Sequence, residues 1–137
     1  MSIKSKIALL DRVFSQYIRL RDTDTGGFGR CISCGAYHHY TDLDAGHFVN
    51  RKHKSLRYNE VNVNIQCIKC NRFDEGNASG YSLGLIIKYH TDIISQLNIS
   101  KNKTVKFTEF ELSEMIKMYR IMNKQLAKDK TFKINLA

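Results

Sequence analysis

The stretch Cys67-Ile68-Lys69-Cys70-Asn71, with its earlier counterpart Cys31-Ile32-Ser33-Cys34, decides the fold of this chain. All four cysteines fall in these two CxxC pairs, and none is left over. Each pair can present two thiolates to one side of a tetrahedron, so two pairs favour a single four-thiolate zinc site. We therefore predict one structural Zn²⁺ per chain, with four ligands: Cys31, Cys34, Cys67 and Cys70.

Two other interpretations of the cysteine pairs are less favoured. Two disulfides would suit a secreted protein, but the N-terminus has no apolar signal-peptide region. No segment approaches the roughly 18 apolar residues of a membrane span. A redox CxxC typically lies in a βαβ pattern, and neither pair has one around it. We therefore expect a cytoplasmic protein without membrane association, whose reduced thiols are available as metal ligands.

The chain is short and basic. Its 137 residues suit a single domain, and 22 Lys and Arg against 13 Asp and Glu give a formal net charge of +9. Such a charge favours nucleic-acid binding through phosphate contacts and counterion release. An excess of surface lysine without any nucleic-acid partner gives the same balance. Charge alone therefore does not decide between these two interpretations.

Both ends of the chain show helical periodicity. Apolar residues recur at spacings of three and four over residues 2–21, and a glycine-rich loop follows. Another helix is predicted over residues 81–97, and a last one begins near Thr108, which forms a capping-box pattern with Glu111. The predicted organisation is one domain, 1–137, in three segments: an N-terminal helix and loop at 1–29, a zinc-bound centre at 30–80, and C-terminal helices at 81–137.

The centre combines strand and helix signals, which places the chain in the α+β class. Residues 43–49 are a strand candidate, and residues 61–66 alternate apolar side chains with Asn62, Asn64 and Gln66. That alternation is typical of a half-buried strand. A short helix is predicted over residues 68–75, directly after the second strand.

His47, Asn62 and Asn71 are the candidate catalytic residues of this centre. A neutral histidine can accept a proton from water near pH 7. A carboxylate and an amide oxygen can hold one Mg²⁺ or Mn²⁺, which offsets charge on a phosphate and on a leaving 3′ oxygen. Alone, Asn71 is more often a helix N-cap and His47 a buried structural histidine. Their combination with the cysteine pairs favours metal-assisted phosphodiester hydrolysis.

A basic loop lies between the two strand candidates. We predict that its side chains contact DNA phosphates, which position the backbone without reading bases. The alternative is a solvated charged loop, but no acidic residue occurs from 51 to 57. The predicted contacts are Arg51, Lys52, His53, Lys54 and Arg57. Arg57, which lies close to the second strand, is expected to touch the scissile phosphate.

The centre resembles the HNH, or ββα-metal, nuclease superfamily, in which CxxC pairs of zinc-bound members brace a hairpin and a helix around a histidine and a metal. The CIKCN run with Asp74, Glu75 and Gly76 is similar to the corresponding segment of the phage endonuclease VII resolvases. A closer resemblance, covering about residues 15–90, is to the lambdoid NinG (Rap) recombination family. The motifs that carry it are YIRLRD at 17–22, CISCG at 31–35, LDAGHF at 43–48, LRYNE at 56–60, NVNIQC at 62–67, CN at 70–71, and Gly76-Asn77 followed by Tyr81.

This resemblance implies a zinc-braced HNH core flanked by helices. His47 would be the general base, Asn62 would tie the loop to the hairpin, and Asn71 would bind the catalytic metal. The implied activity is structure-specific cleavage of branched recombination intermediates, including Holliday junctions and D-loops. Two cuts in a symmetric junction imply a homodimer, acting with phage or host recombination proteins in the bacterial cytoplasm. The alternatives are a non-catalytic zinc-ribbon DNA-binding protein and a general HNH nuclease that cuts linear duplex.

One position departs from the family pattern. Many members carry a metal-binding aspartate immediately before the histidine, where this chain has Gly46. Asp44 faces the same side of an extended strand as residue 46, but its Cα lies about 7 Å further back. A bend or bulge at Gly46 would close that gap. Asp44 is therefore the predicted carboxylate ligand, with Asp74 as a supporting or alternative ligand and Glu75 as a further alternative.

Overall fold

The computed structural model describes all 137 residues and shows five α-helices around two small antiparallel hairpins, which confirms the α+β class. The helices are α1 (Ile3–Arg21), α2 (Lys54–Arg57), α3 (Ala78–Lys88), α4 (Ile93–Ser100) and α5 (Glu109–Ala127). The strands are β1 (Phe28–Arg30), β2 (Tyr37–His39), β3 (Leu43–His47) and β4 (Val63–Cys67), with a 3-10 turn at Tyr40–Asp42 and a π-helical turn at Lys69–Phe73. None of the helices is both long enough and apolar enough to cross a membrane.

The first and last helices form the main core together with the β3–β4 hairpin. Helix α1 begins after Ser2, whose Oγ accepts a hydrogen bond from the Ser5 N–H. Helix α5 begins with the capping box predicted for Thr108 and Glu111, which is confirmed. Their apolar stripes meet over the hairpin because burying each large side chain contributes about 1.5–3 kcal/mol. The cluster comprises Leu10, Val13, Phe14, Tyr17, Ile18, Leu43, Tyr58, Val63, Ile65, Leu112, Ile116 and Tyr119.

The β3–β4 ladder is regular through the glycine that precedes His47. Its register runs without interruption from Leu43 opposite Cys67 to His47 opposite Val63. The bulge that would bring Asp44 closer to the position before His47 is therefore absent. Glycine is needed at position 46 for a steric reason, because any Cβ there would overlap the carboxamide of Gln66.

Strand β4 is buried along its whole length, whereas the alternating pattern predicted a half-buried strand. Asn64 and Gln66, expected at the surface, are 0% and 1% exposed. Asn64 Oδ1 accepts hydrogen bonds from Lys88 Nζ at 2.6 Å and Arg21 Nη2 at 3.2 Å, while its Nδ2 donates to the Val61 carbonyl. Because these amides have partners, a polar face can be buried without a large desolvation penalty.

The single helix predicted for residues 81–97 is two helices, α3 and α4, separated by Tyr89–Asp92. On one straight helix, residues 81 and 93 would lie about 120° apart around the axis. The break lets the buried residues of both helices face one small cluster. That cluster consists of Val49, Leu56, Tyr81, Leu85, Ile93 and Leu97, and it lies behind the segment that joins β3 to β4.

Candidate metal centre and catalytic cleft

The four cysteines come together where the two hairpins approach each other. Their Sγ atoms all lie within 4.8 Å of one another, and those of Cys34 and Cys67 are 3.8 Å apart. Two thiolates at about 2.3 Å from a tetrahedral zinc ion are separated by about 3.8 Å. The donor set and its spacing therefore fit one metal ion such as zinc.

The surroundings of the sulfur atoms suit a cation. Burial raises the pKa of the Cys67 thiol, and it raises that of Cys70 to about 12. A buried thiolate is stable only beside a counter-charge, which a dication supplies. The side-chain amide of Asn77 donates to Cys70 Sγ at 3.4 Å, and the Cys70 N–H donates to Cys67 Sγ at 3.5 Å. Such N–H donors orient the ligands of a metal site.

His47 lies at the end of β3, and its side chain is partly buried. Its Nε2 is 2.9 Å from the backbone carbonyl oxygen of Arg57. A carbonyl oxygen only accepts, so in the neutral ring Nε2 carries the hydrogen and Nδ1 is an open acceptor. Burial lowers the pKa of His47 below its ordinary value, which keeps the ring neutral at pH 7. This nitrogen has the properties of a general base.

A cavity of 550 Å³ opens beside the His47 ring. Its walls come from α1, the end of β3, the basic segment, the π-helical turn and the start of α3. Among the predicted site residues, the cavity brings together His47, Asn71, Arg51 and Arg57. Two carboxylates also line it, those of Asp11 and Glu75.

Asn62 holds the loop between β3 and β4 onto the hairpin. Its side chain is fully buried, and Oδ1 accepts from the Val49 N–H at 2.8 Å. Its Nδ2 donates to the Val49 carbonyl at 3.0 Å and to the Leu56 carbonyl at 3.1 Å. The residue following Leu56 is Arg57, which provides the carbonyl partner of His47. Asn62 therefore supports the histidine indirectly, through the loop backbone.

Asn71 and Asp44, two predicted ligands of the catalytic metal, are direct neighbours. Asn71 follows Cys70 in the π-helical turn, and its Nδ2 donates to Asp44 Oδ2 at 3.0 Å. The Arg72 guanidinium also donates to Asp44, through Nε at 2.9 Å and Nη2 at 2.8 Å. Although burial of Asp44 acts in the opposite direction, the bonds from Arg72 and Asn71 lower its pKa. Asp44 is thus an ionised carboxylate beside Asn71, although only Asn71 lines the cavity.

The structure places Asp74 away from the cavity. The helix predicted over residues 68–75 is a π-helical turn that ends at Phe73. Asn71, Asp74 and Glu75 therefore do not share one helical face. Asp74 is exposed and does not line the cavity, whereas Glu75 lines it from a left-handed backbone conformation with φ 50°. Of the two adjacent carboxylates, Glu75 is therefore the one at the cavity wall, and Asp74 is not brought together with Asn71 and His47 there.

The basic loop is partly ordered as α2, a single helical turn that follows His53. Three of the predicted DNA contacts are exposed at its surface: Arg51, Lys52 and Lys54. Arg57 is different, because its Nε and Nη2 donate to the two carboxylate oxygens of Asp11 at 2.9 and 2.6 Å. A contact between Arg57 and the scissile phosphate would therefore compete with this ion pair.

Sequence analysis missed three side chains that shape the centre. Asp11 is the only acidic residue in α1, a signal that could have singled it out. Tyr81, which is 1% exposed, donates its hydroxyl to the Gly46 carbonyl at 2.7 Å and so fixes the strand beside His47. Gln66 Nε2 donates at 2.8 Å to Ser33 Oγ and to the Gly76 carbonyl, connecting the two CxxC segments.

Comparison with known proteins places the chain among phage proteins. The chain is 33% identical over 88 residues to protein ninG of Escherichia phage lambda, which covers 64% of this chain and 41% of that protein. It is 31% identical over 111 residues to protein ninG of Salmonella phage P22, which covers 80% of this chain and 52% of that protein. The chain thus spans between two fifths and about half of the length of these curated relatives.

No solved structure matches the chain significantly. The family profile described as Bacteriophage Lambda NinG protein matches residues 2–129, which include both helical ends, the cysteine cluster and the cavity. The chain therefore belongs to the bacteriophage lambda NinG protein family.

Proposed function

We propose that the chain is a metal-dependent endonuclease of the HNH, or ββα-metal, type, which hydrolyses phosphodiester bonds in branched DNA during phage recombination. The observation that carries this proposal is the environment of His47. Its ring is neutral, its Nε2 is bonded to the Arg57 carbonyl, and it shares a cavity with Asn71 and basic side chains. The order β3, β4 and π-helical turn, with Cys67 and Cys70 at the join, supports the ββα comparison.

In the proposed reaction, His47 accepts a proton from water at Nδ1 while the water oxygen attacks the phosphorus atom. The bond from phosphorus to the 3′ oxygen breaks, and that oxygen then takes a proton from solvent. The products carry a 5′-phosphate and a 3′-hydroxyl. A positioned general base typically contributes about 10²–10⁴-fold to such a rate. The Arg57 carbonyl contributes by keeping the hydrogen on Nε2.

Asn71 and Asp44 are the proposed ligands of one Mg²⁺ or Mn²⁺. Neighbouring ligands in an octahedral site with bonds of about 2.1 Å are about 3.0 Å apart. Asn71 Nδ2 and Asp44 Oδ2 have this separation, and a half-turn of the amide exchanges its nitrogen and oxygen. When bound, the metal would supply positive charge to the phosphate and the leaving oxygen. Glu75, which lines the cavity, is the alternative carboxylate.

The basic segment is the proposed DNA contact. Arg51 lines the cavity and the exposed side chains of Lys52 and Lys54 follow it, so phosphates near the scissile bond would meet positive charge. His53, at the start of α2, completes this surface. A net charge of +9 supports binding to a polyanion. Paired cuts across a symmetric junction would require two copies of the chain.

Cleavage of matched substrates tests the proposal. A four-way junction, a D-loop and a linear duplex are incubated with the chain at equal salt, in Mg²⁺ or Mn²⁺. We expect His47→Ala to bind the junction as wild type does but to cut it at least about 100-fold more slowly. His90→Ala, which removes an exposed histidine outside the cavity, should cut normally.

Three outcomes would count against the proposal. If the wild type cuts no DNA with either metal, the nuclease assignment is wrong. Binding without cutting would instead favour a zinc-ribbon DNA-binding protein. If the linear duplex is cut faster than the branched substrates, the role in recombination is wrong and a general HNH nuclease remains.

A further inference from the structure

Asp11, the single acidic residue of α1, holds two consecutive residues of the loop that faces it. Its Oδ1 accepts hydrogen bonds from Arg57 Nε and Tyr58 Oη, both at 2.9 Å. Its Oδ2 accepts from Arg57 Nη2 at 2.6 Å, and the Arg51 guanidinium lies 3.8 Å away. One carboxylate from the N-terminal helix therefore anchors the side chains of residues 57 and 58.

The peptide unit between these two residues carries the carbonyl oxygen that accepts from His47 Nε2. Arg57 is the last residue of α2, and terminal helix carbonyls have no partner within the helix. A helix of one turn is not stable by itself, so its orientation depends on outside anchors. Asn62 holds the preceding carbonyl, of Leu56, and Asp11 holds the side chains on both sides of the Arg57 carbonyl.

We propose that Asp11 is a positioning residue for His47. Through Arg57 and Tyr58 it fixes the carbonyl that keeps the hydrogen on Nε2, and this leaves Nδ1 free to act as the base. The kinetic consequence rests on the proposed nuclease function. The physical connection from Asp11 to the His47 ring does not require it, so the two can be tested separately.

A purely electrostatic effect of Asp11 predicts a different result. A carboxylate in a DNA-binding cavity repels phosphates, so its removal would tighten DNA binding if charge were its main influence. Its pairing with Arg57 offsets that charge. A positioning role instead predicts a loss in kcat, because geometry at the base matters more in the transition state than in DNA binding.

The first experiment does not depend on catalysis. In zinc-loaded protein labelled with ¹⁵N-histidine, the Nε2–H proton of His47 should give an observable, slowly exchanging NMR signal, which His47→Gln identifies by its loss. We expect Asp11→Asn and Asp11→Ala to abolish this signal, because the Nε2–H proton then exchanges rapidly with water. The rest of the spectrum should remain that of a folded protein. Glu114→Ala removes an exposed carboxylate of α5 and should leave the signal unchanged. An unchanged signal in both Asp11 variants would overturn the proposal.

The second experiment measures cleavage of a junction that the wild type cuts. Asp11→Ala should lower kcat about 10–100-fold with DNA affinity changed less than about threefold. Tyr58→Phe removes one of the three hydrogen bonds and should cause a smaller loss. The double variant Asp11→Ala/His47→Ala should be no slower than His47→Ala, because Asp11 acts through the histidine.

Additive losses in the double variant, or a normal kcat in Asp11→Ala, would overturn the positioning role. Tighter DNA binding by Asp11→Ala with unchanged kcat would assign Asp11 a repulsive role instead. If the wild type cuts no DNA, the nuclease proposal fails, and the NMR experiment still decides whether Asp11 positions the His47 ring.

Discussion

His47 Nε2 donates a hydrogen bond to the Arg57 carbonyl oxygen across 2.9 Å, and this contact fixes which nitrogen of the ring is free. Burial is the largest influence on the pKa of His47 and lowers it, while the hydrogen bond to Arg57 acts in the opposite direction. The charge of Arg51 lowers it further. These influences together keep the proposed base neutral in the pH range in which it would work.

The pH dependence of cleavage follows from this lowered pKa. The neutral ring is the active form, so activity at pH 6.5, the usual pKa of histidine, should exceed half of its maximum and should fall further as the pH drops through the lower pKa of the folded protein. The folded state also resists protonation more than the unfolded state, so stability should decline as the pH falls below about 6.5. A rate profile with its acid limb at or above pH 6.5 would contradict this prediction.

Loss of one cysteine ligand should release the metal and weaken the fold. Cys70→Ser is expected to reduce bound zinc well below one ion per chain and to lower the free energy of unfolding by more than about 3 kcal/mol, because structural zinc binding is coupled to folding. Elemental analysis and thermal unfolding measure the two effects. Ser79→Ala, an exposed change in α3, serves as the control. Full stability of the zinc-free wild type would show that no structural metal is needed.

Asn62→Ala should destabilise the chain by roughly 2–4 kcal/mol, because it removes three buried hydrogen bonds and leaves the N–H and the carbonyl of Val49 without their side-chain partner. Urea denaturation measures this free energy. The matched control is Asn98→Ala, an exposed asparagine in α4, which should change stability by less than about 0.5 kcal/mol. Equal stabilities of the two variants would mean that the loop is held by other contacts.

Gly46→Ala should cost about 1–3 kcal/mol in unfolding free energy, because the new methyl group displaces the Gln66 carboxamide from two hydrogen bonds. The double variant Gly46→Ala/Gln66→Ala should lose less unfolding free energy than the sum of the losses in the two single variants, because both substitutions remove the same contacts. Gly26→Ala is the control, since a Cβ there meets its nearest neighbour at an ordinary 3.5 Å. Strict additivity in the double variant would rule out this steric explanation.

Titration of cleavage activity with Mg²⁺ can identify which carboxylate binds the proposed catalytic metal. Asp44→Asn should raise the Mg²⁺ concentration for half-maximal cleavage by at least about 10-fold, because an anionic ligand is lost. Glu75→Gln should change it by less than about threefold. The opposite ranking would assign the metal to Glu75, which lines the cavity, rather than to Asp44.

The parts of the fold that sequence predicted are those with local signals. These signals each depend on residues a few positions apart, and the structure contains all of them: the apolar stripe of α1, the capping box at Thr108 and the two CxxC pairs. The four sulfurs meet because both pairs lie at the ends of short strands. Here sequence spacing alone was sufficient to predict a long-range cluster.

The parts that sequence did not predict depend on packing between distant segments. Gln66 was expected at the surface, but the CxxC segments cover its face of β4 and give it partners. Asp74 and Glu75 are adjacent carboxylates, but only Glu75 lines the cavity, and its left-handed backbone conformation could not be predicted from the sequence. Asp11 and Arg57 are far apart in sequence, so no local pattern could have paired them.

Helix α1, described above as half of the main core, also supplies a wall of the cavity through Asp11. A protein engineer who transplanted only residues 30–80 into another scaffold would carry over the cysteines, His47 and Asn71 but leave this wall behind. Such a graft would need a substitute acidic group facing residues 57 and 58. Residues 30–80 therefore do not contain the whole cavity, because the first helix supplies the carboxylate that binds Arg57 and Tyr58.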